Sequence, residues 1–243
     1  MSYLRYTVPN SFTAFSLLLG VSSIVATQFG KLELAGWIIV WCGLLDVLDG
    51  LAARLLNATS SFGAEFDSMA DLVSFGVAPA ILMLNAGMVI AEIEVGSGQF
   101  WVLAASCGIF ALCGAMRLAR FNLTSETPTQ GWFVGVPITA VGGGMVSSLV
   151  IVMARHQSEA EVLPLHLYLP VVMFVFAILM VSRLRFPKAT RRESNIINAF
   201  QVVNISLIYY CGITRSWPEY LLIMGTFTMI AGIIAGRITR PQD

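Results

Sequence analysis

The sequence predicts an all-α protein, a polytopic transmembrane helix bundle of about eight spans. Hydrophobic residues make up 57% of the 243 residues, charged residues only 12%, and the mean hydropathy is +0.79. Soluble proteins are about half apolar and about a quarter charged. Apolar windows of about twenty residues recur along the chain, which is the length that crosses a bilayer as a helix. The spans must be helices, because an isolated strand cannot satisfy its backbone groups in lipid.

The first span follows a Pro-Asn pair and continues without a cleavage site, so we expect the N-terminus to be retained. The next two spans flank a stretch rich in aspartate, and the seventh is the most polar because of its amide side chains. No repeat or soluble region interrupts the series, so residues 1–243 are expected to form a single domain. The predicted spans are 9–29, 34–56, 62–91, 98–119, 133–154, 164–183, 197–214 and 218–237.

The positive charges predict the orientation of these spans. If the N-terminus is cytoplasmic, only Lys31, Arg155 and Arg215 of the fourteen Lys and Arg residues lie outside. This division satisfies the positive-inside rule, and it brings both chain ends into the cytoplasm. We therefore expect a multi-pass protein of the cell (inner) membrane, with residues 46–71 at its cytoplasmic face.

Four aspartates lie where the second span ends and the third begins. Positions three or four apart share a face of a helix, so each span carries two of these carboxylates on one stripe. Two antiparallel helices joined by a short turn can face the two stripes toward each other. The sequence therefore predicts that four carboxylates converge, from Asp46, Asp49, Asp67 and Asp71.

Such a cluster predicts a cation site. Carboxylates this close repel one another and are costly in a membrane, so either they take up protons or cations lie between them. Hard divalent ions prefer oxygen ligands, which makes Mg²⁺, Mn²⁺ or Ca²⁺ the expected occupant of the four aspartates. One alternative is a network of buried ion pairs, for which Arg54 is the nearby cation in sequence. Another is a transport pathway, which predicts acidic residues at mid-span or inverted repeats.

The spacing of this stretch, D-x2-D-G-x2-A-R-x8-G-x3-D-x3-D, resembles the signature of the CDP-alcohol phosphotransferase family at every fixed position. The resemblance implies the fold of that family, which is usually homodimeric. It also implies transfer of a phosphate-linked group from a CDP-alcohol to a second alcohol, with release of CMP and with Asp71 as general base. The matching positions are Asp46, Asp49, Gly50, Ala53, Arg54, Gly63, Asp67 and Asp71.

Three further stretches resemble the branch of the family that forms phosphatidylserine: Pro9-Asn10-x2-Thr13, residues 74–80 and residues 117–122. The resemblance implies CDP-diacylglycerol and L-serine as substrates, membrane lipid as surroundings and no nucleic-acid partner. Ser16 departs from this branch, which often has Asn there. Residues 135–140 only approximate its Gly-Leu-Pro-x-Pro-Ala.

The resemblance also implies two groups of binding residues. The CDP-lipid would contact Asn10, Thr13, Asp49, Gly50, Ala53, Arg54 and Gly63, although small residues also serve close helix packing. The carboxylate of serine calls for a fixed cation. The acceptor residues are therefore expected to be Ser74, Arg117, Arg120 and Asn122.

Alternatives to this acceptor site stay open. Arg117 and Arg120 can also be ordinary anchors at the positive side of the membrane. A sister enzyme could use glycerol 3-phosphate, an inositol compound or an archaeal lipid donor. A phosphorylated acceptor would require a denser cluster of cations around the pocket.

Overall fold

A computed structural model describes residues 2–56, 60–124, 132–156, 165–187 and 195–238. The predicted all-α class is confirmed. Two π-helical segments, Leu72–Val77 and Thr139–Val146, join α3 to α4 and lead into α6. The α-helices are α1 (Ser2–Gln28), α2 (Leu32–Leu55), α3 (Ser61–Asp71), α4 (Ala78–Val89), α5 (Gly98–Thr124), α6 (Ser147–Arg155), α7 (Leu165–Val181), α8 (Asn195–Thr214) and α9 (Pro218–Ile238).

Each of the eight predicted spans coincides largely with helix. Two of them form shorter apolar helices, Thr139–Arg155 and Leu165–Val181. The chain is therefore a multi-pass membrane protein by the length and composition of its helices. The five segments long and apolar enough to cross a membrane are Thr7–Gln28, Leu32–Ala52, Ser61–Val89, Gly98–Leu123 and Pro218–Gly236.

The predicted start of the fifth span is wrong. Helical structure begins at Thr139, and the preceding residues form strand β1 (Trp132–Val134), which pairs antiparallel with β2 (Arg185–Pro187). Gly135 has φ +79° and Pro137 lacks an N–H, so neither favours a continuous helix here. An apolar run thus contains a strand and a turn before the helix.

The first helix also differs from the predicted span, because it begins at Ser2 and contains Pro9 in its interior. A proline in a helix interior removes the backbone hydrogen bond to the carbonyl four residues earlier. The Thr13 hydroxyl adds a different bond one turn later, since it donates to the Pro9 carbonyl at 3.3 Å. The extension places Asn10 and Thr13 on a regular helix, with a fixed direction for each side chain.

The two π-helical segments touch in the core. The Phe75 side chain is fully buried, and its carbonyl oxygen occupies the space that a side chain at Gly142 would need. Only glycine allows this approach of backbone to backbone. Asp71 directly precedes one π segment and Thr139 begins the other, so the contact fixes the position of both residues relative to each other.

Candidate active site

Three of the four predicted aspartates meet where α2 ends and α3 begins. Asp46, Asp49 and Asp67 each offer a carboxylate oxygen, and these oxygens all lie within 4.8 Å of one another. Asp49 is buried, with 7% of its surface exposed, and the other two are half-buried. We call these three residues the aspartate triad. Helical spacing explains it, because positions 46 and 49 share one face of α2.

Asp71 lies one turn after Asp67 and is not a member of the triad. It experiences the charges of the triad and that of Arg117 on α5. Arg117 is only 7% exposed, and its Nε atom has no hydrogen-bond partner among the described residues. Buried polar nitrogens in native proteins nearly always bind a partner, a water molecule or a ligand. Arg117 Nε is therefore available to a water molecule or a ligand. Together with Asp71, whose charge it senses, Arg117 forms a second polar centre near the triad.

Hydroxyl groups orient two of the triad carboxylates. Thr13 on α1 donates from Oγ1 to Asp49 Oδ2 at 3.0 Å. The Thr139 side chain hydrogen-bonds Asp46 from the start of the second π segment. Such outer hydrogen bonds hold a metal-binding carboxylate in one orientation.

The predicted CDP-lipid residues lie around the same end of α2. The Asn10 Oδ1 atom lies 3.2 Å from the position that a Gly63 side-chain carbon would take. The Gly63 N–H donates to Ser60 Oγ at 3.0 Å, which caps the start of α3. Gly50 contributes a backbone hydrogen bond to Asp49. The side chains of Ala53 and Arg54 lie outside the described part of the structure.

The four predicted acceptor residues have different surroundings. Ser74 is buried and donates to the Ser16 carbonyl of α1 at 3.2 Å. Asn122 connects α5 to α3, since its Nδ2 atom donates to Glu65 at 3.2 Å and its Oδ1 atom accepts from Ser68 at 3.1 Å.

The two arginines of this group also differ. The Arg120 guanidinium donates to the backbone carbonyls of Val181 at 2.9 Å and Val134 at 3.0 Å. In contrast, Arg117 retains a buried nitrogen without a partner in the described ranges. The structure therefore separates two residues that the sequence grouped together.

Two residues near the triad were absent from the sequence prediction. Thr139 lies in the 135–140 stretch, whose similarity to a family motif gave no indication of a contact with Asp46. Tyr209 of α8 donates to the Leu44 carbonyl at 2.9 Å and experiences the charge of Asp46. Nothing in the local sequence of α8 indicates this position of Tyr209, because its contact is with a helix far away in the chain.

The residues of the triad fit a divalent cation. Three carboxylates supply the hard oxygen donors that Mg²⁺, Mn²⁺ and Ca²⁺ prefer, and no thiol or imidazole belongs to the triad. In a membrane protein, like charges gathered in this way need either protons or an opposite charge to balance them. The triad is therefore a candidate metal site, and a fourth carboxylate, Asp71, follows it one turn later on α3.

Comparison with known proteins gives a consistent result. The sequence model of the CDP-alcohol phosphatidyltransferase family matches residues 6–234. A Helicobacter pylori protein named CDP-diacylglycerol–serine O-phosphatidyltransferase is 35% identical over 230 residues, covering 94% of this chain and 90% of the relative. Proteins of the same name from Methanocaldococcus jannaschii and Bacillus subtilis are each 31% identical, over 228 and 186 residues. They cover 94% and 74% of this chain, and 93% and 89% of their own lengths.

Proposed function

The chain belongs to the CDP-alcohol phosphatidyltransferase family, and from this membership we propose that it transfers the phosphatidyl group of CDP-diacylglycerol to L-serine. The products are phosphatidylserine and CMP. The names of three relatives that match most of this chain support serine as the acceptor. The observation that carries the proposal is the aspartate triad, whose oxygens lie within 4.8 Å of one another inside the signature stretch.

The triad residues hold a divalent cation, Mg²⁺ or Mn²⁺. When bound, such an ion offsets the negative charge of the pyrophosphate and of the departing CMP. Asp46, Asp49 and Asp67 supply its oxygen ligands, while Thr13 and Thr139 hold two of these carboxylates in position. The small residues Gly50 and Gly63 add no bulk beside the cytidine. At Gly63 the absence of a side chain lets Asn10 and Ser60 approach α3 closely, and Asn10 is the polar neighbour of the cytidine.

Asp71 is the general base. Its carboxylate takes the proton of the serine hydroxyl, the serine oxygen forms a bond to the lipid-bearing phosphorus, and the bond from phosphorus to the CMP oxygen breaks. Its position beside the triad, one turn after Asp67, supports this role because the reacting hydroxyl must meet phosphorus and base together.

Arg117 binds the carboxylate of serine. It is buried, it lies near enough to Asp71 for their charges to interact, and its Nε has no partner in the described structure. A guanidinium pairs well with a carboxylate through parallel hydrogen bonds. An acceptor held by Arg117 would present its hydroxyl to Asp71. This arrangement suits an amino acid with one carboxylate.

The active site faces the cytoplasm in this proposal, and the protein functions as a homodimer in the cell membrane. The distribution of Lys and Arg supports the orientation. Membership of the family supports the homodimer. The lipid chains of the donor remain in the bilayer while its head group enters between α1, α2 and α3.

The proposal is tested by an assay of the purified protein with CDP-diacylglycerol and Mg²⁺ or Mn²⁺. L-serine, glycerol 3-phosphate and myo-inositol are offered in turn as the acceptor. CMP release and the lipid product are both measured. We expect turnover with serine and little with the other alcohols. Turnover with another alcohol but not with serine would overturn the acceptor assignment and leave the reaction type intact. The absence of CMP release with every acceptor would contradict the proposal as a whole.

A further inference from the structure

Arg120 follows Arg117 by one turn on α5, but its guanidinium is engaged with the protein backbone. Its Nη1 atom donates to the Val181 carbonyl at 2.9 Å. Its Nη2 atom donates to the carbonyls of Val134 at 3.0 Å, Met180 at 3.3 Å and Ser182 at 3.4 Å. One side chain therefore connects α5 to strand β1 and to the end of α7.

The end of a helix is a favourable place for this charge. The last four carbonyls of a helix lack donors within the helix, and its C-terminus carries a partial negative charge. Met180 and Val181 belong to the last turn of α7, so Arg120 satisfies their carbonyls and offsets this charge. The guanidinium of Arg120 thus binds the end of α7, whereas that of Arg117 lies near Asp71.

Gly135 completes the connection from the other side. Its φ is +79°, and a side chain there would collide with the Met180 carbonyl and lie 2.9 Å from Arg120 Nη2. The Gly135 N–H donates to the Leu184 carbonyl at 2.8 Å, and the Val136 N–H donates to the Leu179 carbonyl at 3.2 Å. The turn after β1 is therefore joined directly to the end of α7. We call Arg120, Gly135 and the carbonyls of residues 180–182 the arginine clamp.

The clamp lies between two parts of the proposed active site. On α5, Arg117 is one turn before Arg120. Along the chain from Gly135, Thr139 is the residue that hydrogen-bonds Asp46. A shift of the end of α5 or of the turn would therefore move the groups that face Asp71 and Asp46.

We propose that Arg120 is a positioning residue, which through the arginine clamp holds Arg117 in its place near Asp71 and fixes the turn that leads to Thr139. This inference rests on the proposed function, because it assumes that Arg117 binds the acceptor carboxylate. Arg120 itself does not contact the acceptor. Its loss disturbs acceptor binding by displacing Arg117.

The test compares Arg120→Gln and Arg120→Lys with the wild type. We expect Arg120→Gln to raise the KM for serine about 10- to 100-fold, since displacements near 1 Å at an active site have effects of this size. The KM for CDP-diacylglycerol should change less than about twofold, because the donor site lies on other helices. Lysine keeps the charge but cannot reach carbonyls on both sides, so Arg120→Lys should give an intermediate KM. Arg183→Gln, which removes an exposed charge near the same end of α7, serves as the control and should leave the serine KM unchanged.

A second measurement does not depend on activity. Amide hydrogen exchange at Gly135 and Val136 should accelerate in Arg120→Gln and stay at the wild-type rate in Arg117→Gln. Gly135→Ala, which crowds the clamp from the opposite side, should reproduce both the faster exchange and the higher serine KM. If Arg120→Gln does not fold, Arg120→Lys and Gly135→Ala provide the same comparison.

The double variant Arg117→Gln/Arg120→Gln distinguishes positioning from direct binding. If Arg120 acts through Arg117, the double variant has the serine KM of Arg117→Gln, whereas independent contributions add. Fully additive effects of the two substitutions on the serine KM would overturn the proposal. It would also be overturned if Arg120→Gln accelerates amide exchange at Gly135 and Val136 but leaves the serine KM unchanged, or if it leaves this exchange unchanged. Failure of the proposed function is distinguishable, because the wild type itself would then not turn over serine. The acceptor that the alcohol panel identifies would replace serine in the same comparison.

Discussion

The two ends of α2 carry charged residues in opposite ways. At its start, Glu33 pairs with Arg155 at 2.7 Å, and Arg155 also lies 5.6 Å from the centre of the Trp37 ring. At its end, Asp46 and Asp49 face a third carboxylate, Asp67. The first cluster is neutral within the chain, whereas the second gathers charges of one sign. Only the second needs protons or a cation from outside to balance it.

Glu33, Arg155 and Trp37 form a cluster at the start of α2, which we call the paired cluster, and its charges balance within the chain. Arg155 of α6 also donates to the Arg215 carbonyl at 2.7 Å, so the paired cluster connects three helical segments. Both members of its ion pair are partly exposed, at 30% and 45%. Such a pair contributes little energy and needs nothing from outside. The two clusters therefore differ in sign balance, because the cluster of Glu33 and Arg155 is neutral by itself and the triad is not.

The largest effect is expected for Asp71→Asn. The amide keeps the shape of the side chain but cannot accept the serine proton, so kcat should fall about 10²- to 10⁴-fold, the range for loss of a general base. Binding of CDP-diacylglycerol should stay largely intact. Single-turnover CMP release and a donor-binding titration measure the two properties. Substantial residual turnover would remove Asp71 from the role of base.

A similarly severe loss is expected for Asp49→Asn, but in a different property. The Mn²⁺ concentration for half-maximal activity should rise at least about 100-fold, beyond the effect of losing an outer hydrogen bond. Manganese binding followed by electron paramagnetic resonance should weaken in parallel. Glu33→Gln, which removes a carboxylate from the other end of the same helix, is the matched control and should bind Mn²⁺ like the wild type. Equal metal binding in Asp49→Asn and the wild type would contradict the metal role of the triad.

A smaller effect is expected for Thr13→Val, which removes the hydroxyl that donates to Asp49 at 3.0 Å. The carboxylate then loses its fixed orientation, and the half-maximal Mn²⁺ concentration should rise about 10-fold. Thr13→Ser keeps the donor and should behave like the wild type. If Thr13→Val and Thr13→Ser raise the half-maximal Mn²⁺ concentration equally, the effect does not come from loss of the hydrogen bond to Asp49.

The smallest effect on activity is expected at the paired cluster. Arg155→Met removes the ion pair with Glu33 and the contact with Trp37, so the free energy of unfolding should fall by about 1 kcal/mol. The turnover of the folded protein should change less than about twofold, because nothing in this cluster belongs to the proposed reaction. Equilibrium unfolding in mixed micelles and CMP release measure the two effects. A loss of kcat comparable to that of Asp71→Asn would abolish the distinction between the two ends of α2.

The triad shows how far helical periodicity can predict a site. Residues 46 and 49 share a face of α2 because they are three positions apart on a helix. A short turn then requires α3 to run back antiparallel beside α2. These two facts predicted that four carboxylates converge, and three of them form the triad. The aspartate stretch therefore contained most of the candidate site in its local pattern. Its signature also indicated the family over a segment of 26 residues, which the match over residues 6–234 extends to most of the chain.

The acceptor side required the structure. Arg117 and Arg120 are both arginines at one end of α5, and their spacing suggested equal roles. Only the packing of α7 against α5 shows that Arg120 donates to the carbonyls of residues 180–182. Arg117 instead lies near enough to Asp71 for their charges to interact. No local pattern contains this information, because the carbonyls that accept from Arg120 belong to backbone about sixty positions away.

The sequence by itself determined the class of protein, the helices and the pairing of the two aspartate stripes. These depend on hydropathy and on the 3.6-residue repeat, which are properties of short segments. The tertiary structure alone decided that Thr139 and Tyr209 lie near Asp46, that Asp71 stands outside the triad and that the fifth span begins with a strand. Such features depend on which segments pack together, and contacts between distant segments arise only when the whole chain is folded.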